Sequence, residues 1–435
     1  VKGHFLGDKI LTRGTATGSL VTPREIFMEA LRRHAVSLIL IHNHPSGDPT
    51  PSPDDLQITA RIYQAGELLG IHLLDPAASE KKDYGIHVQN KATTKGQNML
   101  FEKTYGIDLG SSSVKVYSFF RNKTYIEKNM IASKGHTIIA MGNEAYDMFE
   151  KSPTDITVTS PMTFGMIANL ELQEIVLYSM IRKIDHILGF GATMYFTVPL
   201  DMTAVEKRAY FHVANGHWLK KNRVFMVEAP IADAIAMGVN LEDPEGNMIV
   251  NIGAQSTEVS IITGGKIIIS RKIPLGGRQM NESVCSEIRK RYNLQIGTRT
   301  AKRLKMVMGR LSDPKKEVRK VVGIDCISGL PREEIISSYV VNDGIMNCLN
   351  EIAAEMKTFL ERIPPQISYH IAKQGIYITG GSTRLPYIDK YLASYTGFTF
   401  NLSDFYETSA VTGLEKIIRN KELREWAVPV TQRKL

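Results

Sequence analysis

The chain reads as an α/β protein in two unequal parts. A large unit of two lobes around a cleft is preceded by a shorter α/β piece with an incomplete sheet. Three features predict this. Residues 106–117 and 251–262 share one pattern of apolar strand, glycine-bearing polar turn and apolar strand, and their acidic or amide positions Asp108 and Asn251 stand 143 positions apart. A duplicated half-domain is the simplest source of such a pair. Strand and helix periods alternate from about residue 104 to about residue 419, and residues 420–435 read as a polar, loose tail. Between the two parts, residues 76–103 hold no sustained apolar period and read as a linker.

Composition narrows the class. Of 435 residues, 43% are hydrophobic and 23% charged, which excludes a mainly disordered chain. No window approaches the roughly 18 consecutive apolar residues of a membrane-spanning helix. The first residues lack the apolar stretch of a secretory signal. Cys285, Cys326 and Cys348 are too few and too scattered for a disulfide framework, so a reducing, cytoplasmic setting is expected. The net charge is +8, nearly all of it carried after residue 98, and no run of five basic residues occurs. That pattern suits a solvated basic surface. Basic and aromatic residues are not interleaved, so nucleic acid is not an expected partner.

In residues 1–75, Pro23-Arg24-Glu25 opens a helix with an apolar face of Phe27, Ala30 and Leu31. A buried strand is expected from Val36 to Ile41, running into His42-Asn43-His44-Pro45, and a second helix over residues 54–69. His42 and His44 are two apart at a strand end, which sends both imidazoles to one face. Asp55 follows His44 by eleven residues, past a proline-rich turn. Two histidines and a carboxylate leave an open position on Zn2+, the arrangement of catalytic zinc, and Ser52 would orient a bound water. The string HNHPSGDPTPSPDD (42–55), with flanking residues from 14 to 75, resembles the RadC family, a domain of JAMM/MPN metalloprotease type. The resemblance implies that His42, His44 and Asp55 are zinc ligands and that a glutamate upstream acts as general base. No glutamate precedes Glu25, and the resemblance stops before the sheet would close. Zinc binding is therefore expected ahead of hydrolysis.

The stronger chemistry lies in the two hairpins. Glycine lets backbone approach a ligand closely, and turn N–H groups with hydroxyls form an anion nest. Two such turns facing each other would clamp a polyphosphate. A third piece, Ile376-Tyr377-Ile378-Thr379-Gly380-Gly381-Ser382-Thr383-Arg384, is a buried strand ending in a glycine turn suited to a base or ribose. Before it, Ile345, Leu349, Ile352, Met356, Phe359 and Ile363 recur at three and four, an amphipathic helix stopped by Pro364 and Pro365 and read as core.

Residues 104–419 resemble the MreB family of bacterial actin-like proteins. Besides the hairpins, the resemblance rests on VPLDMTAVEKRAY (198–210), EDPEGNMIV (242–250), YNLQIGTRTAKRLK (292–305), GIDCISGLP (323–331) and the stretch 360–385. It implies an actin-like, Hsp70-type ATPase fold, ATP with Mg2+ in the cleft, and self-association into filaments. It also implies attachment to the inner face of the cytoplasmic membrane and a link to the cell-shape and cell-wall synthesis machinery. Matched to the family's motifs, Asp108, Gly110, Ser111, Ser112 and Ser113 form the first phosphate turn and Gly253, Ala254, Gln255 and Ser256 the second. Thr298, Arg299, Thr300 and Ala301, with Gly380, Gly381, Ser382, Thr383 and Arg384, hold the nucleoside. Three positions depart from the pattern. The second turn begins with Asn251 where the family has Asp. The glutamate expected before Pro230 is Ala229, with Glu228 one position out of register. The glutamate expected before Arg299 is Thr298. Asp108 and Glu228 are the acidic groups left for catalysis, and poor hydrolysis is expected because water positioning carries much of phosphoryl transfer.

For membrane contact, His186-Ile187-Leu188-Gly189-Phe190-Gly191 offers an apolar loop, which with the basic excess would make two weak anchors. Met99 reads as a natural start for the second part, so the join is expected to be a read-through fusion with 76–98 as spacer. The competing expectations are a RadC-like zinc metallohydrolase fused to a nucleotide-binding module, and another ATPase of the same fold. EDPEGNMIV and ISGLP favour the filament family over the latter.

Overall fold

The computed structural model describes residues 6–11, 22–41, 58–59, 61–62, 65–66, 68–74, 103–185, 191–219, 221–312 and 316–430. The chain forms two compact units, Val1–Glu102 and Lys103–Leu435.

In the first unit the helix Pro23–Arg32 starts as the sequence suggests, with proline in its first turn and the Thr22 N–H donating to Glu25 Oε2 at 3.1 Å. It buries Ile26, Phe27 and Ala30. Leu31, expected on that face, is exposed, because the buried stripe centres on Ile26 and Ala30. The expected strand shrinks to Ser37–Ile39, paired in parallel with His72–Leu74. Val36, Ile39 and Ile41 are exposed rather than buried, since among the described residues the strand has one neighbour. Residues 58–59, 61–62, 65–66 and 68–69 are helical, in keeping with the second expected helix.

The second unit contains the same sheet twice. One sheet runs Lys123–Lys128, Ser113–Ser118, Thr104–Leu109, Thr193–Val198, Arg223–Glu228, with Val428–Val430 added at its edge. The other runs Lys266–Ile273, Thr257–Thr263, Asn247–Ile252, Ile376–Thr379, Phe400–Leu402. In each, a hairpin and a third antiparallel strand are followed by two parallel strands, so each hairpin lies beside the topological reversal. Ligands bind at such reversals, off the carboxyl ends of parallel strands.

Two helices, Ala229–Met237 and Ser409–Arg419, pack together between the sheets. Their core joins Tyr117 and Tyr195 of the first sheet to Ile249 and Ile262 of the second. The helices touch at Gly413, where an added Cβ would lie 2.0 Å from the Ala232 carbonyl oxygen, so only glycine allows the approach. Ile345, Leu349, Ile352, Met356 and Phe359 of the helix Ser338–Leu360 lie in the core of the second lobe, as their spacing predicts. The tail departs from expectation. Residues Glu422–Trp426 form a 3-10 turn, and Val428–Val430 pair with Arg223–Glu228. Proline at 429 suits this edge strand, which has a single neighbour.

Candidate functional site

The first hairpin turns at Gly110, Ser111 and Ser112, closed by the Gly110 N–H donating to the Ser113 carbonyl at 3.2 Å. Asp108 sits just before the turn and faces Lys115 across the hairpin. The Lys115 ammonium donates to Asp108 Oδ2 at 2.8 Å, and the Thr197 hydroxyl donates to Oδ1 at 3.0 Å. Both carboxylate oxygens are thus engaged from within the lobe. The Asn129 amide donates to the Gly110 carbonyl and to Gln173 Oε1, each at 3.0 Å, and its N–H donates to the Ser112 carbonyl at 3.2 Å. Lys115, Thr197, Asn129 and Gln173 were not singled out from sequence. Lys115 carried a signal, as the lone charge within the apolar run 113–118.

The second hairpin closes in the same way, Gly253 N–H to Ser256 carbonyl at 2.9 Å. The Gly253 carbonyl accepts from the Gly277 N–H and from the Ser382 hydroxyl, both at 3.0 Å, and the Ala254 carbonyl accepts from the Arg278 N–H at 2.7 Å. The strand Ile376–Thr379 brings Gly380 against this turn. Gly380 has φ +102°, and a Cβ there would lie 2.4 Å from the Ile252 carbonyl oxygen, so the position requires glycine twice over. Asn251 does not point an acid at the cleft. Its amide donates to Asp233 Oδ2 at 2.7 Å. Asp233 is buried, its Oδ1 makes no hydrogen bond, and burial pushes its carboxyl up to about 7, opposed by the Asn251 amide. Asp233 escapes a motif reading because it lies inside an apolar helix.

Phe164 and Gly165, both at positive φ, tie the two turns together. The Gly165 N–H donates to the Ser111 hydroxyl at 2.8 Å, and the Phe164 N–H donates to Gln255 Oε1 at 2.7 Å. The Lys272 ammonium donates to the Phe164 carbonyl at 2.5 Å. Gln255 is thereby buried across the cleft. The N–H groups of Ser111, Ser112, Ala254, Gln255 and Ser256 donate to no acceptor among the described residues. Two strand-end turns, joined by one bridge and presenting unused N–H groups, make an anion nest.

The remaining residues matched to the nucleoside divide. Ser382 and Thr383 are buried beside the second turn, the Thr383 hydroxyl donating to the Gly380 carbonyl at 2.7 Å. Gly381 packs against the Glu407 Cβ. Arg384 is spent on Glu407, with bonds of 2.6 and 3.0 Å, and lies over the Tyr406 ring. Thr298 and Arg299 begin the helix Thr298–Met308, and their N–H groups donate to the Glu150 carboxylate at 2.8 and 3.0 Å. Arg299 also reaches the Tyr146 and Asp147 carbonyls and Asp147 Oδ1, so these two residues hold the outer ends of the lobes together. Thr300 is half-buried and Ala301 is core. From the same helix Lys305 donates to the Gly277 carbonyl at 2.7 Å, and burial pushes its ammonium down to about 8. Lys305 was not singled out either. Glu228 is exposed at the N-terminus of Ala229–Met237, and Ala229 brings no acid to the site. His42, His44, Asp55 and Ser52 lie outside the described residues, as does all of the apolar loop His186 to Gly191 except Gly191.

Comparison with known proteins agrees with this geometry. A family model described as MreB/Mbl protein matches residues 102–425, and one described as RadC-like JAB domain matches residues 1–85. The cell shape-determining protein Mbl of Bacillus subtilis (strain 168) is 31% identical over 299 residues, 68% of this chain and 89% of that protein. The cell shape-determining protein MreB of Escherichia coli (strain K12) is 28% identical over 308 residues, 68% of this chain and 88% of that protein. Among solved structures, MreB5 of Spiroplasma citri bound to ADP matches with a TM-score of 0.69 at 27% identity, covering 75% of this chain and 98% of that one. A MamK double helical filament shares the fold, with a TM-score of 0.62 at 17% identity over 73% of this chain and 99% of that one. The chain therefore belongs to the MreB/Mbl family, with an actin-like second unit behind a RadC-like JAB segment.

Proposed function

We propose that the second unit binds ATP or ADP between its two hairpins, assembles into filaments at the inner face of the cytoplasmic membrane and serves in cell-shape determination. The observation that carries this is the pair of bridged turns with unused N–H groups. The solved relative MreB5 was crystallised with ADP and with AMPPNP, which supports an adenine nucleotide as occupant. A polyphosphate would be held by the N–H groups of Ser111, Ser112, Ala254, Gln255 and Ser256, with Lys115 supplying positive charge. Ser382, Thr383 and Lys305 stand on the nucleoside side. The donor set suits phosphate better than it suits Mg2+. Asp108 has both oxygens already engaged by Lys115 and Thr197, and Glu258, opposite Asn251 across the second hairpin, is held above the usual carboxylate range by burial. Asn251 is neutral and turned toward Asp233. With Ala229 also unable to take a proton from water, the reading is static binding with little turnover. Calorimetry on the full chain tests it: heat of binding with millimolar ATP or ADP is expected, together with turnover that rises in an Ala229→Glu/Asn251→Asp variant. No uptake of either nucleotide would withdraw the assignment.

Self-association is supported by a second surface. In the sheet Leu294–Gln295, Val318–Asp325, Pro331–Ser337, Val321 and Ile336 are buried on one face. Val318, Val322, Ile324 and Ile335 are exposed on the other. These four apolar side chains surround the Lys320–Glu333 ion pair on that face, and a second copy of the chain would cover them. Membrane attachment rests on the apolar loop 186–191 and the charge of +8. For residues 1–85 the RadC-like match favours zinc held by His42, His44 and Asp55, which metal analysis of the full chain would test.

A further inference from the structure

Away from the cleft, the turn that leads into Asn247–Ile252 packs against the helix Pro365–Gln374. Three side chains meet there: Asp243, Glu245 and His370. His370 is 94% buried, at 6% relative exposure. Its Nδ1 lies 2.5 Å from Glu245 Oε2, an ion-pair contact. Its Nε2 lies 3.5 Å from Asp243 Oδ2 and makes no hydrogen bond. The other Asp243 oxygen, Oδ1, accepts from the Glu245 N–H at 2.9 Å, which fixes the carboxylate and leaves Oδ2 toward the ring. In a neutral ring that carries its proton on the Glu245 side, Nε2 would present a lone pair to Asp243 Oδ2.

That arrangement is the one a bound cation reconciles. A tetrahedral ion with bonds of about 2.0–2.2 Å sets neighbouring ligands roughly 3.3–3.6 Å apart. A histidine that ligates through one nitrogen normally gives its other N–H to a carboxylate. Glu245 fills that part. We propose that His370 Nε2 and Asp243 Oδ2 form a zinc-type divalent cation site, with Glu245 orienting the imidazole and water completing the shell. One nitrogen and one carboxylate oxygen suit Zn2+ rather than Mg2+. Glu245 is mostly exposed and Asp243 partly so, which opens the site to solvent and gives an entry path. The ion would pin the helix Pro365–Gln374 to the start of the strand that carries the second phosphate turn.

The test uses the full chain with His42→Gln and His44→Gln, so that the RadC-like segment cannot contribute its histidines. After EDTA treatment and dialysis, Zn2+ alone is titrated. One equivalent bound and a rise in thermal midpoint are expected. Adding His370→Gln should abolish both. Asp243→Asn, at a partly exposed position, should weaken affinity at least tenfold, and Glu245→Gln should weaken it about 10- to 100-fold while keeping the stoichiometry. No zinc bound at 100 μM, or binding that His370→Gln and Asp243→Asn leave unchanged, would overturn the site.

Discussion

Asp233→Asn should change how stability depends on pH. The substitution removes a charge, keeps the shape and leaves an oxygen to accept from the Asn251 amide, now 2.7 Å from Asp233 Oδ2. In the folded chain burial pushes this carboxyl up to about 7, against an ordinary value of about 3.9. A raised value means that the folded state holds the proton more tightly than the unfolded state does. The contribution to stability is therefore fully present below about pH 4 and is lost as pH rises to about 7. At about 1.4 kcal/mol per unit, the two units between pH 5 and pH 7 correspond to a loss of roughly 3 kcal/mol in the parent. The asparagine variant does not titrate and keeps that increment. Its advantage over the parent should widen by roughly 3 kcal/mol from pH 5 to pH 8, or about 5 °C in thermal midpoint for a unit of this size. Thermal melts of both proteins across that range measure it. A gap that stays constant with pH would refute the placement of Asp233 as a buried, half-satisfied acid behind the second turn.

Four further outcomes follow from named contacts. Gly413→Ala drives a methyl into the Ala232 carbonyl and should lower stability by about 1–3 kcal/mol or more, read from urea or thermal midpoints. Gln255→Gly frees the Phe164 N–H and clears the space between the turns, so ATP should bind about 3- to 10-fold more tightly by calorimetry, the equivalent of roughly one hydrogen bond. Lys115→Met leaves Asp108 largely buried without its ion pair; a loss of about 2–3 kcal/mol and at least tenfold weaker nucleotide binding are expected, discounted for the remaining solvent access. Val322→Lys with Ile335→Lys charges the exposed sheet face and should abolish sedimentation with ATP while leaving the thermal midpoint within about 1 °C, because surface changes of this kind move stability by under about 0.5 kcal/mol.

The large-scale order of this protein is legible in its residues because it follows from local rules. Apolar alternation placed the strands Thr104–Leu109 and Ser113–Ser118, and a three-and-four spacing placed the core face of Ser338–Leu360. Paired glycine turns implied duplicated halves, and the two sheets repeat one strand order. Local rules fail where burial depends on what covers an element. Val36 and Ile41 are as apolar as any core strand, yet are exposed because the strand Ser37–Ile39 has one neighbour among the described residues. The segment Glu422–Val430 falls in the stretch 420–435 read as a loose tail, but Leu423 and Trp426 pack on the core between the sheets and an open sheet edge beside Arg223–Glu228 gives its backbone partners.

The two phosphate-turn candidates came from residue type at a fixed spacing, and resemblance to a known family supplied the kinship and the missing acids at Ala229 and Asn251. Tertiary structure decided what each candidate side chain is free to do. Gln255 reaches Phe164 91 positions away, Arg299 is consumed by Asp147, and Asn251 finds a buried partner in Asp233. Those pairings join distant parts of the chain whose approach depends on the packing of both lobes, and no spacing along the sequence records it.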